Sequence, residues 1–334
     1  MKSIVLFIPA KIYQAIVFFR NFLFDVGIFT SVKVNQPSIC VGNLTVGGTG
    51  KTPMVEKLIE LFKAHRSIAV ISRGYKRKST GMIIAAEKHG VTDLGDEPFQ
   101  IWKKFQSDIT LVIDSNRNRA VNYLYEKHPE SLILFDDAFQ HRKIKASINL
   151  LLTTFNNPFF RDDYLPMGSL RDHKNQVARA DVLVVTKCPP NLTKSDVERF
   201  KSQLKIPSTQ IYFCSLKYQE IASEQLKALR LYKKNELVLA TGLASTTELE
   251  AHLKALKLNY TLLKFPDHHN YTEKDLQALN VFKCILTTEK DEVKLSGLKT
   301  KMTVLKVAHH FLFDQEDEFL ANINAKLTPN SSFE

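Results

Sequence analysis

The stretch NLTVGGTGKTPMVEKLIE, residues 43–60, constrains this chain more than any other. A Walker A loop follows G-x-x-x-x-G-K-[ST], and the matching window here is TVGGTGKT. Its members are Thr45, Val46, Gly47, Gly48, Thr49, Gly50, Lys51 and Thr52. Thr45 stands where the strict pattern has glycine. The glycines let backbone N–H groups turn toward an anion. Lys51 is placed to reach the β- and γ-phosphates of a nucleotide, and Thr52 to ligate Mg²⁺. The context fits: SICVGN before the loop is strand-like, and PMVEKLIELF after it is helical, with Pro53 in its first turn.

A phosphate loop calls for an acidic partner at the end of a buried strand. LILFDD supplies it, with Asp136 and Asp137 as candidate metal-shell carboxylates. Around these two signals the first two-thirds of the chain alternates strands and helices. Short apolar runs fall at 38–41, 68–71, 109–113, 132–135, 148–152 and 182–185. Continuous apolar runs of this length suit strands buried on both faces of a parallel sheet. Helical patterns lie between them at 53–65, 97–104 and 118–127. A strand pattern at 210–215 is followed by a charged, irregular stretch and then a second α/β set. In that set strands are predicted at 236–240, 260–265, 284–287 and 303–307, and helices at 246–256 and from 272. Thr272 and Asp275 are spaced as a capping box. The expected fold is therefore α/β, a P-loop NTPase-like parallel-sheet domain with a second, smaller α/β domain. The expected boundaries are 1–30 for an N-terminal helix, 31–208 for the P-loop domain, 209–232 for a linker and 233–330 for the smaller domain.

The N-terminus, SIVLFIPAKIYQAIVFFRNFLFDVGIF, is apolar and aromatic, interrupted by Lys11 and Arg20. Pro9 is expected to break it and leave an amphipathic helix over 10–24, with Lys11 and Arg20 able to snorkel at a membrane surface. Uncharged runs fall short of the roughly 20 residues of a spanning helix. The net charge of +11 favours an anionic partner: nucleic acid, acidic headgroups or phosphorylated small molecules. Nucleic acid has no further support, because zinc-finger spacing, an RNP motif and a basic helix are all lacking. The four cysteines, Cys40, Cys188, Cys214 and Cys284, show no CxxC spacing and are expected to be buried thiols. A guanine-specific nucleotidase would carry N-K-x-D, whereas Thr186-Lys187-Cys188 lacks the acid. A membrane-bound switch ATPase usually has lysine before the paired glycines, where this chain has Val46.

Several short clusters could handle an acceptor: SRGYKRK with Arg73 and Tyr75; LGDEP with Asp96; DDAFQHR with Gln140 and His141; LPMGSLRD with Arg171 and Asp172; FPDHHNY with His268 and His269; and TTEKDEVK. Arg117 and Arg119 follow a strand end and are equally placed by spacing alone. Taken with VGNLTVGGTGKTP, this set, in this order, resembles the tetraacyldisaccharide 4′-kinase family over about residues 40–294. The family shares Thr45 at the first loop position. It commonly has glycine and glutamate where this chain has Ala138 and Asp172. The resemblance implies transfer of the ATP γ-phosphate, with Mg²⁺, to the 4′-hydroxyl of an acylated glucosamine disaccharide 1-phosphate, giving lipid IVA. It implies Asp96 and His268 as the catalytic pair, either of which would take the hydroxyl proton. Arg117 and Arg171 would be basic clamps, and together with Arg73, Tyr75, Gln140, His141 and Asp172 would bind the substrate. It further implies a peripheral or monotopic protein on the cytoplasmic leaflet of the inner membrane, with the lipid substrate as partner.

Overall fold

A computed structural model describes residues 2–204, 209–243, 245–267, 269–295 and 297–328. Its centre is a nine-stranded sheet. In spatial order the strands are Val307–Phe311, Gln210–Tyr218, Val182–Thr186, Ile148–Thr154, Ser38–Asn43, Leu132–Phe135, Ile68–Ser72, Ile109–Ile113 and Ile83–Ile84. All neighbours are parallel except the two outermost pairs. The apolar runs dictate this. Alternate residues of one strand face opposite sides, and here both sides are covered. Ile39, Val41, Ile68 and Val70 enter one core, and Cys40, Ala69 and Ile71 enter the other. Chain order reverses around Ser38–Asn43, which places the P-loop where doubly wound sheets hold their ligands, at the carboxyl ends beside a topological switch point.

A second sheet has four parallel strands, Thr261–Lys264, Leu237–Thr241, Cys284–Thr288 and Lys301–Leu305. Its two faces have their own cores, led by Leu237, Leu239 and Leu253 on one side and Val238, Ile285 and Leu279 on the other.

The structure departs from the sequence expectations at three places. The pattern at 210–215 is a strand, extending over Gln210–Tyr218 inside the large sheet; the sequence before Tyr218 is therefore not linker. The run predicted as one strand at 303–307 is two. Lys301–Leu305 stays in the small sheet, and Val307–Phe311 returns antiparallel to Gln210–Tyr218, followed by the helix Glu316–Leu327 against the large core. The second lobe is thus inserted between two neighbouring strands of the first. The two connecting segments lie side by side, with Gln219 N–H donating to the Lys306 carbonyl at 2.9 Å.

The third departure is at the N-terminus, where one helix runs Lys2–Asp25 straight through Pro9. Proline removes one backbone donor, and here the flanking turns carry the helix past it. Only a narrow stripe packs inward, with Ala10, Val17 and Asn21 buried. Ile8, Ile12, Ile16, Phe18, Phe19 and Phe22 are exposed. By length and composition the part from Val5 to Asp25 is apolar enough to cross a membrane. The four cysteines are free and buried.

Candidate active site

The strand Ser38–Asn43 is buried along its whole length and delivers the loop to the helix Lys51–Phe62. Gly47 and Gly50 have φ of 105° and 87°, the left-handed region that only glycine adopts freely. A Cβ on Gly50 would also lie 2.9 Å from His309 Nε2. Four contacts among the described residues fasten the loop to its surroundings. Val46 N–H donates to the Ser169 carbonyl at 2.7 Å, and Thr45 bridges Leu170. Thr186 Oγ donates to the Thr49 carbonyl at 2.8 Å. His309 Nε2 meets the Gly50 carbonyl at 2.9 Å. Burial, with Lys57 and Lys187 nearby, pushes the His309 imidazole down to about 4, so it is neutral and its Nε2–H is the donor.

The loop's charges converge on two side chains. Asn43 is fully buried. Its amide donates to Thr49 Oγ at 2.9 Å, while its carbonyl accepts from Arg171 Nη2 at 2.5 Å and Lys51 Nζ at 3.4 Å. Asp137 accepts both terminal nitrogens of Arg171, Nη1 at 3.0 Å, and lies 3.8 Å from Lys51 Nζ. Burial opposes its ionisation, but the Arg171 hydrogen bond and the charges of Lys51 and Arg117 prevail, holding Asp137 below the usual carboxylate range. Its neighbour behaves oppositely. Asp136 is buried, accepts from Ser72 Oγ at 2.9 Å, and its Oδ1 has no hydrogen-bond partner among the described residues. Burial, then the charges of Glu97 and Asp137, push Asp136 up to about 7. An orphaned buried carboxylate oxygen whose ionisation is disfavoured fits a site that a cation would complete, and Thr52, also buried, lies in the first turn of the helix that follows the loop. Among the described residues no three His, Cys, Asp or Glu side chains are grouped to form a metal cage by themselves. Mg²⁺ needs only one or two carboxylates when phosphate oxygens and water supply the rest.

Asp96 opens the helix Asp96–Phe105, where the backbone dipole favours a carboxylate. Its Oδ2 lies 2.5 Å from Lys294 Nζ of the second lobe. His268 lies outside the described residues. The adjacent His269 is engaged elsewhere: its Nε2 is 2.9 Å from Asp275 Oδ2, and its ring stacks on Phe265. Asp275 in turn caps the helix Glu273–Leu279 from Thr272, as the spacing predicted. The FPDHHNY loop is further tied down through Lys290 to Asp267 at 2.5 Å, and through Tyr271 OH to buried Asp291 at 3.1 Å.

The remaining sequence candidates separate. Arg117 is buried and donates to the carbonyls of Asp136 and Asp137 at 3.3 and 3.1 Å, whereas Arg119 turns away to pair with Asp114 at 2.6 Å. Gln140 donates to the Asn43 carbonyl at 2.7 Å. His141 is pushed down to about 4 by burial and by Arg117, Lys143 and Arg20. Arg73 and Tyr75 are exposed beyond the strand Ile68–Ser72. Asp172 is not brought to the phosphate cluster. It is fully buried and accepts from Asn21 Nδ2 at 2.7 Å and from the His173 amide at 2.8 Å, which anchors the N-terminal helix. Tyr13 OH donates to the Arg171 carbonyl at 3.1 Å, and Arg142 to the Asn21 carbonyl at 3.0 Å, so the same helix braces both flanking loops. Asn43 and Lys294 were missed from sequence, whereas Glu97 stands beside Asp96 in LGDEP and His309-His310 reads from sequence as structural. Asn43 and Lys294 stood inside quoted motifs, but only tertiary contact gives them a role.

The family model described as "LpxK: Tetraacyldisaccharide-1-P 4'-kinase" matches residues 2–328. A tetraacyldisaccharide 4'-kinase of Flavobacterium johnsoniae is 40% identical over 94% of this chain and 94% of its own. One from Phocaeicola vulgatus is 37% identical over 96% of this chain and 94% of its own. Among solved structures, LpxK from Aquifex aeolicus in complex with ATP superposes with a TM-score of 0.78 at 29% identity, covering 98% of this chain and all of that one.

Proposed function

This chain belongs to the LpxK family of tetraacyldisaccharide-1-P 4'-kinases, and on that premise we propose how its residues divide the work. The reaction is ATP-dependent phosphorylation of the 4′-hydroxyl of tetraacyldisaccharide 1-phosphate, which gives lipid IVA in lipid A biosynthesis. The 4′-oxygen bonds to the γ-phosphorus, the bond from that phosphorus to the β–γ bridging oxygen breaks, and ADP leaves. The hydroxyl proton passes to His268 or Asp96. Such transfers depend mostly on positioning and charge neutralisation. The observation that carries the assignment is the convergence of Lys51, Arg171 and Asn43 beside Asp137 at the P-loop.

In this proposal the loop from Thr45 to Thr52 wraps the phosphates, with the amides of Gly48, Gly50, Lys51 and Thr52 turned to them while the Val46 amide holds the loop to Ser169, and Lys51 neutralises charge on the γ-phosphoryl and leaving oxygens. Thr52 and Asp136 would hold Mg²⁺, with Asp137 beside them, and the ion would supply neutralisation of phosphate charge. Arg171 exchanges Asp137 for phosphate oxygens, and Arg117 stiffens the turn carrying the two acids. Gln140, His141, Arg73 and Tyr75 face the acceptor. Asp172 serves the acceptor site through the segment it anchors. The outward apolar face of the N-terminal helix rests in the cytoplasmic leaflet of the inner membrane, where acyl chains and cytosolic ATP meet. In domain terms, the large-sheet lobe is the kinase domain and the four-stranded lobe the smaller domain that carries His268.

The test is transfer of labelled γ-phosphate from ATP to purified tetraacyldisaccharide 1-phosphate in detergent micelles with Mg²⁺. Wild type labels the lipid, and Lys51→Ala loses on the order of 10²–10³ in rate. ATP hydrolysis by wild type without lipid labelling overturns the acceptor assignment.

A further inference from the structure

Three ion pairs join the helix Asp96–Phe105 of the first lobe to the segment 289–294 of the second. Lys104 Nζ lies 3.7 Å from Glu289, Lys103 Nζ 2.7 Å from Glu292, and Lys294 Nζ 2.5 Å from Asp96. Asp96, Lys103 and Lys104 are spaced i, i+7 and i+8, one face of a helix. The pairs differ in environment and in polarity. Lys103 is 45% exposed and Glu292 22%, whereas Lys294 is only 4% exposed. The first lobe gives the cations at the outer end of this seam and the anion at its inner end.

Tethering two lobes does not require a buried ammonium. A solvated pair holds a surface at little desolvation cost, while burying a lysine is expensive unless it is well paired. Lys294 is paired twice, to Asp96 and to the His269 carbonyl at 3.3 Å. One amine therefore links the first residue of the Asp96 helix to the loop that carries the two adjacent histidines. The opposite side of Asp96 is equally constrained. Gly95 has φ of 90°, and a Cβ there would lie 2.7 Å from the Tyr75 carbonyl, which wedges the turn against the SRGY segment.

We infer that Lys294 is a positioning residue for phosphoryl transfer: it holds the Asp96 carboxylate aimed, and fixes the histidine loop against it across the lobe boundary. The inference rests on the proposal that Asp96 belongs to the catalytic pair. Lys294 exchanges no proton and touches no phosphate. Its effect is geometric, and a displacement of about 1 Å at such a position can cost roughly 10²-fold in rate.

Asp96→Asn, Lys294→Met, Lys294→Arg and the double variant Asp96→Asn with Lys294→Met are compared in the labelled-transfer assay, with Lys103→Ala as the control from the same seam. The expected result for Lys294→Met is a kcat lower by about 10²-fold with the KM for ATP within about threefold. Lys294→Arg restores at least tenfold of that, and the double variant is no slower than Asp96→Asn alone, because both remove one unit. Lys103→Ala stays within about twofold. If Asp96→Asn keeps wild-type turnover, the catalytic-pair proposal falls and this inference with it. If Asp96→Asn is slow but Lys294→Met is not, this inference alone falls. Multiplicative losses in the double variant also overturn it, as does a raised KM for ATP at unchanged kcat. A Lys294→Met chain that loses its cooperative thermal transition while Lys294→Arg keeps both transition and turnover reduces Lys294 to structural support, and overturns it too.

Discussion

The two walls of the site are built differently. The phosphate wall is secured within the large lobe, by Asn43 beneath the loop, Thr186 and Ser169 beside it and His309 behind it. The wall we propose for the acceptor is assembled across a boundary, from Asp96 at a helix start in one lobe and a loop in the other, joined by Lys294. Grip on the nucleotide and speed of transfer should therefore respond to different substitutions.

The largest separation is expected for Asp96→Asn. Turnover should fall by about 10²–10⁴ while ATP affinity, read by calorimetry, stays within about threefold. A comparable loss in both quantities would merge the two walls. His309→Gln examines the other wall. Burial holds the imidazole neutral, its folded pKa of about 4 lying below the ordinary 6.5, so between those pH values the unfolded chain takes up a proton that the folded chain does not. Stability is intact above about 6.5 and is lost as pH falls from there toward about 4, by up to ~3 kcal/mol from this group. Urea unfolding of the variant should show a flatter dependence over that interval, and an unchanged slope would remove His309 from the support of Gly50.

Asn43→Ala leaves Lys51, Arg171 and Thr49 without a shared partner. A loss of about 2 kcal/mol in unfolding free energy, with ATP binding weakened roughly tenfold, is the expected outcome. The smallest effect concerns neither wall. Phe19→Asp, on the exposed face of the N-terminal helix, should weaken binding to anionic vesicles about tenfold and leave ATP affinity unchanged; equal vesicle binding would detach that face from the membrane.

The same contrast explains what was legible in the sequence. The phosphate loop is one contiguous segment whose glycines, lysine and threonine act through the local backbone, so it reads directly, as do the buried parallel strands. Asp136 and Asp137 read as a pair, but their opposite ionisation depends on Glu97, Lys51 and Arg171, brought together from separate segments. Arg117 and Arg119 are equivalent by spacing, and only helix phase turns one toward the acids and the other to Asp114. His309 comes from a strand about 260 positions after Gly50, and nothing local marks it. The N-terminal helix was legible as apolar, but its persistence through Pro9 was not, nor was the use of Asn21 to hold Asp172.

The insertion of the second lobe between Gln210–Tyr218 and Val307–Phe311 sets an order of events during synthesis. The phosphate loop leaves the ribosome early, but the strand that carries His309 behind Gly50 emerges only after the entire four-stranded lobe has been made. A nascent chain can therefore form the Asn43, Ser169 and Thr186 contacts first, and the support behind Gly50 arrives only when the last strand of the large sheet is in place.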